Sequence, residues 1–196
     1  MKKTLLALFA VVLGFNANAQ DYTTFQENDI IAGKLTAPVT FIEYASMTCG
    51  HCANFDKNVV QKLKKEFVET GKVAYTLREF PLDDLAMAIS KVQRCAPKDS
   101  YYDFVSAYFG SQRQWIAAED KLTAISNIAR LGGMTPEKVQ QCILDKNLHK
   151  EITAMKNSGI ELGINSTPSF LINGTLYRGA MKYDQIKAII EAELGE

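Results

Sequence analysis

Apolar and polar positions change their spacing along the chain, and each spacing predicts a different element. From Val39 to Tyr44 the run VTFIEY is short, almost continuously apolar and rich in β-favouring residues, which predicts a buried strand. Phe55, Val59, Leu63 and Phe67 then recur every four residues and Gly71 follows, so a helix is predicted from Cys52 to a stop at the glycine. Val73 to Phe80 (VAYTLREF) predicts a second strand, closed by Pro81. Strand, helix and strand in this order describe a right-handed βαβ unit with its two strands parallel.

Between Asp83 and Gly163 the spacing is helical throughout. Helices are predicted at Leu85 to Arg94, Tyr101 to Phe109, Glu119 to Leu131, Pro136 to Asp145 and Leu148 to Leu162, with Thr135-Pro136-Glu137 as a start signal. Strand signals return with Ser169 to Ile172 and Thr175 to Arg178. The Asn173-Gly174 pair between them favours a type I′ hairpin turn. Tyr183, Ile186, Ile190 and Leu194 mark the apolar face of a final helix. The class is therefore α/β, with an all-helical insertion at about 83–163.

The start of the chain reads differently. Lys2 and Lys3 lead into an apolar run from Leu5 to Leu13, and Ala17-Asn18-Ala19 forms a small-x-small cleavage site, so residues 1–19 read as a signal peptide. The run falls well short of the roughly 20 residues that span a bilayer, and no cysteine near the site could accept a lipid. The expected mature protein is residues 20–196, exported to an oxidising compartment such as a bacterial periplasm. Its first segment, Gln20 to Leu35, reads as a lead-in.

Composition narrows the partners. With 22 basic and 22 acidic side chains the formal charge is zero, so the chain carries no strong electrostatic footprint for nucleic acid. A hydrophobic content of 47% is enough for a packed core rather than a disordered chain.

The chemistry lies in the cysteines. Cys49-Gly50-His51-Cys52 stands where a strand hands over to a helix, the position of a thioredoxin-like redox motif. There the first cysteine meets the positive end of the helix dipole and free backbone N–H groups, which favour its thiolate. His51 can add to this when protonated or donating a hydrogen bond. Cys49 is thus the expected attacking sulfur and Cys52, one turn inside, the resolving one. Haem attachment would need histidine directly after the second cysteine, where Ala53 stands instead. A structural zinc site would need a second paired motif, and Cys95 and Cys142 stand alone. In an oxidising compartment Cys95 and Cys142 most simply pair with each other; closing a loop of nearly fifty residues would add about 4 kcal/mol in the chain-entropy model. A second redox relay is the alternative. Asn165-Ser166-Thr167 and Asn173-Gly174-Thr175 match glycosylation triplets but are better explained as turn chemistry.

Three segments together resemble the DsbA family of disulfide oxidoreductases: FIEYASMTCGHC, the helical stretch after REFPL, and Ser166-Thr167-Pro168-Ser169-Phe170 before the hairpin. The resemblance runs from about Val39 to the C-terminus. It implies a thioredoxin fold with an inserted all-helical subdomain, a cis Pro168 beside the cysteines, and a Thr167 backbone that pairs with extended substrate. It implies for Glu43 a place beneath the active site, where it would accept or relay the proton of Cys52; the other reading of Glu43 is a solvated strand-end carboxylate. It also implies folding exported proteins as clients, a quinone-linked membrane thiol oxidase as reoxidant, and no cofactor. Gly50-His51 and Thr167 depart from the Pro-His and valine of dedicated oxidases and resemble isomerases, which leaves the redox potential open. Fewer than twenty mature residues precede the first predicted strand, too few for the dimerisation domain of dimeric isomerases, so a monomeric oxidase is expected. The rivals are an isomerase or reductase, a chaperone-like module and a metal carrier.

Overall fold

The computed structural model describes residues 20–196; the leader read from residues 1–19 lies outside them. The chain forms a five-stranded sheet in the order β1-β3-β2-β4-β5. Strands β1 (Ile31–Ala32) and β2 (Val39–Ala45) come first, and then the helical run that starts at the cysteine motif. This run comprises α1 (Gly50–Phe55), a π-helical turn (Asp56–Val60), α2 (Gln61–Leu63) and a second π-helical turn (Lys64–Val68). It leads to β3 (Val73–Glu79), parallel to β2 as the βαβ reading requires.

The π turns have a physical reason in the sequence. A strict four-residue repeat on an ideal α-helix drifts by about 40° per repeat, or roughly 120° from Phe55 to Phe67. Wider π turns take up that excess. Phe55, Val59, Leu63 and Phe67 are accordingly all buried.

Six helices separate β3 from β4: α3 (Asp84–Cys95), α4 (Tyr101–Gly110), α5 (Gln112–Ala117), α6 (Lys121–Leu131), α7 (Pro136–Leu144) and α8 (Lys146–Glu161). Asp83, Asp120, Thr135 and Asp145 cap four of them by accepting from backbone N–H groups in the first turn. Strands β4 (Ser169–Ile172) and β5 (Thr175–Arg178) form the expected hairpin, with Asn173 at φ 44° and Gly174 at φ 80°, the left-handed pair a type I′ turn demands. Helix α9 (Tyr183–Leu194) closes the fold.

Two elements carry no periodic signal and differ from the sequence reading. Strand β1 has only two residues, pairs antiparallel with the edge of β3, and belongs to what reads as a lead-in. Helix α5 has six residues, too few to repeat a pattern, although it buries Trp115 and Gln112.

Alternation along β2 sorts the core. Val39, Phe41 and Ala45 join the main core under α1, while Ile42 and Tyr44 join a second cluster with Phe80, Ile164 and Leu171 on the opposite face. Helix α8 covers that second face at close range: a Cβ at Gly159 would lie 2.9 Å from the Tyr44 ring. By the same alternation Glu43 projects into the main core, among apolar side chains. It is buried, so the solvated-carboxylate reading does not describe it.

Candidate active site

The site is built where β2 ends and α1 begins. Cys49 is the N-cap of α1, in extended backbone conformation, and its Sγ accepts a hydrogen bond from the Cys52 N–H at 3.3 Å. A sulfur in that role faces the unpaired donors of the first turn, which hold a thiolate better than a thiol. The Cys49 pKa is pulled down to about 5, first by the Cys52 side chain, with Thr167 and the backbone N–H groups of Cys52 and His51 adding to it against the opposing effect of partial burial. Cys52 behaves oppositely. Its side chain is fully buried, and burial, its hydrogen bond with Cys49 and the charges of Cys49 and Glu43 push its pKa far above the ordinary thiol value. Both cysteines are free thiols, so this is the reduced state.

His51 presents an exposed imidazole to a cavity of about 450 Å³, shared with Asn58, Met181 and Tyr183. What His51 supplies to Cys49 in this arrangement is its backbone N–H, rather than its ring.

The loop before β4 approaches from the other side. The Thr167–Pro168 peptide is cis, and the Thr167 carbonyl lies 3.4 Å from Cys49 Sγ. The Thr167 hydroxyl is buried and has no hydrogen-bond partner among the described residues. Gly179 anchors this loop from β5's end by donating its N–H to the Pro168 carbonyl at 2.9 Å. Beneath it, Phe170 stacks between Phe41 at 5.1 Å and Phe55 at 5.5 Å, which packs the end of α1 onto the sheet.

Under the cysteines, Glu43 accepts a 2.5 Å hydrogen bond from the Tyr75 hydroxyl on Oε2, while Oε1 has no partner. Burial raises the Glu43 pKa to about 8 despite that bond; the charges of Asp56 and Cys49 add to the rise and Lys64 opposes it. Asp56 and Lys64, both on the helical run that begins with α1, are shifted toward their neutral forms, Asp56 upward and Lys64 downward, in each case first by burial.

Two further residues escape a reading of motifs. Gln112, on α5, donates through Nε2 to the carbonyl of Met47 at 2.7 Å and to that of Cys49 at 3.0 Å. It ties the helical insertion to the backbone that leads into the cysteine motif. Tyr75 is the other. A glutamine in a six-residue helix and a tyrosine in a strand carry no motif; the only available signal for Tyr75 was its place on the strand paired with that of Glu43.

Comparison with known proteins decides what this arrangement belongs to. The family model described as Thioredoxin matches residues 25–192. The crystal structure of alpha-DsbA1 from Wolbachia pipientis superposes with a TM-score of 0.81 at 32% sequence identity, covering 87% of this chain and 92% of that one. This chain belongs to the DsbA-like thioredoxin-fold disulfide oxidoreductases. Its curated relatives include a putative protein-disulfide oxidoreductase of Rickettsia felis, 28% identical over 87% of this chain and 62% of the relative. Disulfide bond formation protein D of Bacillus subtilis is 27% identical over 84% of this chain and 76% of its own length. The chain spans between 55% and 62% of the length of the Rickettsia relatives.

The fold is thus the DsbA-like one, a mixed five-stranded sheet with a helical insertion. The second cysteine pair of this DsbA-like chain sits in the insertion. Cys95 ends α3, Cys142 lies in α7, and their sulfurs are bonded at 2.10 Å across 47 residues of sequence. Beside them Lys91 of α3 reaches the Ile143 carbonyl at 2.7 Å. Among the described residues no helix is long and apolar enough to cross a membrane, and no group of three His, Cys, Asp or Glu side chains is arranged to hold a metal ion.

Proposed function

We propose that this chain is an exported, monomeric protein disulfide oxidase that passes a disulfide between Cys49 and Cys52 to cysteines of proteins folding in a periplasm. The observation that carries the reading is the asymmetry of the pair: Cys49 is partly exposed with its pKa lowered to about 5, and Cys52 is buried with its pKa raised. A stable Cys49 thiolate is a good leaving group, so the disulfide form is a strong oxidant. A substrate thiolate attacks Cys49 Sγ, the Cys49–Cys52 bond breaks, and Cys52 leaves and takes a proton. The substrate's second thiolate then attacks its own sulfur in the mixed disulfide and releases Cys49 as a thiolate. Glu43 is the proton partner of Cys52: a carboxyl held near neutral pH values by burial, within electrostatic reach of that sulfur, serves both directions of transfer. The Thr167 carbonyl faces the reacting sulfur from the loop of Pro168, where an extended substrate segment would pair as an added strand. The Cys95–Cys142 bond is structural. A quinone-linked membrane thiol oxidase, carried over from the resemblance, would restore the disulfide.

The test is oxidative refolding of a reduced, unfolded client by stoichiometric oxidised protein. Rapid disulfide formation, abolished in Cys49→Ser, supports the oxidase; a client that keeps its thiols while pre-formed wrong disulfides are rearranged supports an isomerase. That second reading has specific residues behind it, Gly50-His51 and Thr167, and a redox potential measured against glutathione separates the two.

A further inference from the structure

We propose that Tyr75 is a positioning residue that fixes which oxygen of Glu43 exchanges its proton with Cys52. The inference rests on the reading of Glu43 as the proton partner. In the register of β2 and β3, Glu43 lies opposite Leu77 and Tyr75 lies opposite Phe41, so Tyr75 reaches Glu43 along the diagonal, as a long side chain can. Both residues are 1% exposed. The phenol has one hydrogen, and its acceptor among the described residues is Glu43 Oε2 at 2.5 Å.

With that hydrogen pointed at Oε2, Oε1 is the oxygen on which both acceptor sites are free. Oε1 is buried and has no partner. The charged and titratable groups that act on Glu43 are Cys49 and Cys52 at the start of α1, Asp56 and Lys64 further along the same run, and Tyr75 itself from β3. Tyr102 of α4 bears on Tyr75, and Asp103 on Lys64. The paired neighbours of Glu43 on either side, Leu77 of β3 and Phe170 of β4, are apolar.

When a mixed disulfide at Cys49 is resolved, the Cys52 thiol gives its proton to Glu43 Oε1 and its sulfur bonds to Cys49 Sγ. The bond from Cys49 to the partner breaks, and the partner leaves as a thiolate. In the oxidising direction Cys52 leaves as a thiolate and takes the proton back from Oε1. Tyr75 touches none of the reacting sulfurs. It stabilises the carboxylate form and directs the free oxygen. Without the phenol hydrogen, a buried carboxylate with no donor is harder to form, and its pKa rises above the wild-type value of about 8.

The experiment mixes reduced protein with excess oxidised glutathione and follows release of glutathione from the Cys49 mixed disulfide, by acid quench and mass separation, across pH. In the wild type the rate should rise through an inflection near the Glu43 pKa. In Tyr75→Phe the inflection should move upward by about one pH unit, the size of a lost hydrogen bond to a charged group, with the Cys49 thiolate titration unmoved. In Glu43→Gln the inflection should vanish, and adding Tyr75→Phe to that background should change nothing. A Tyr75→Phe profile lowered at every pH with its inflection in place overturns the proposal, as does a shift that persists in the Glu43→Gln background. A Glu43→Gln profile identical to wild type overturns the underlying reading of Glu43 instead. A second measurement needs no variant: the Tyr75 hydroxyl proton should exchange slowly and its resonance should shift as Glu43 titrates. A fast-exchanging hydroxyl, or one blind to that titration, also overturns the proposal.

Discussion

Of the two cysteine pairs one is bonded and the other is a pair of free thiols, and their surroundings differ as sharply. Cys49 and Cys52 are three residues apart on a helix start, one sulfur near solvent over unpaired N–H donors and the other buried against an acid. Cys95 and Cys142, 47 residues apart in sequence, come from two helices; Cys142 is buried in the main core and Cys95, partly buried, packs against it. The first environment lowers the pKa of one thiol and raises that of the other; the second holds two sulfurs bonded to each other. The reactive end also carries destabilising features, a buried carboxyl with one bare oxygen and a shifted Asp56–Lys64 pair, whereas the stapled end adds cross-links. The difference between the thiols is a property of placement, and it arises where buried polar groups are left without full partners.

If that contrast is right, removing one sulfur at a time should have unequal effects. Cys49→Ser should lower the rate of disulfide transfer to a reduced client by at least about a thousandfold, the scale on which loss of a nucleophile is felt. Its thermal stability in the reduced state should change little by comparison. Client gels without reductant would show it: wild-type activity in Cys49→Ser breaks the comparison at its reactive end.

Replacing Cys95 and Cys142 together by alanine should do the reverse. Loss of the loop constraint should cost about 4 kcal/mol of stability in the chain-entropy model, read from the denaturant midpoint. The folded variant should still transfer disulfides. Unchanged stability would show that the second pair is no staple.

The acid between these extremes makes a pH prediction. Burial raises the Glu43 pKa to about 8 in the fold, above the ordinary carboxylate value of 4.5, so between these values the folded protein holds a proton that the unfolded chain has released. Stability therefore falls as pH rises from the lower value to the higher one, and the loss is complete above the folded pKa. Glu43→Gln removes that loss, so the variant should gain on wild type by roughly 5 kcal/mol between acidic pH and pH 9. A stability difference that stays flat with pH would mean that the fold does not raise the Glu43 pKa.

The smallest effect belongs to the polar contact beside the staple. Lys91→Met should lower stability by about 1–2 kcal/mol through loss of the bond to the Ile143 carbonyl and leave transfer rates alone. A larger effect on rate than on stability would show that the two ends communicate more strongly than their separation implies.

Much of this was legible because its signals are local. The βαβ unit, the hairpin at Asn173-Gly174 and five of the six inserted helices follow from spacing and turn residues, and the cysteine motif announces itself by position. Strand β1 and helix α5 were not legible, since two and six residues cannot display a period. The lead-in segment hides its role for another reason: Asp29 pairs at 2.7 Å with Arg78, a charged residue inside a strand, and neither end names the other in sequence. The same holds for Tyr75 and Gln112. Both act through partners 32 and 63 or more residues away, which only the fold brings close. For Glu43, the sequence left two readings, and strand alternation selects the buried one.

The central claim is that helix-start placement divides the two thiols, and thiolate absorbance during a pH titration of the reduced protein tests it most directly, with Cys49→Ser identifying the signal. One thiol should ionise near pH 5 and be absent in the variant, with Cys52 remaining protonated through the alkaline range. Two thiols titrating together near the free-cysteine value of about 8.5 would contradict the account.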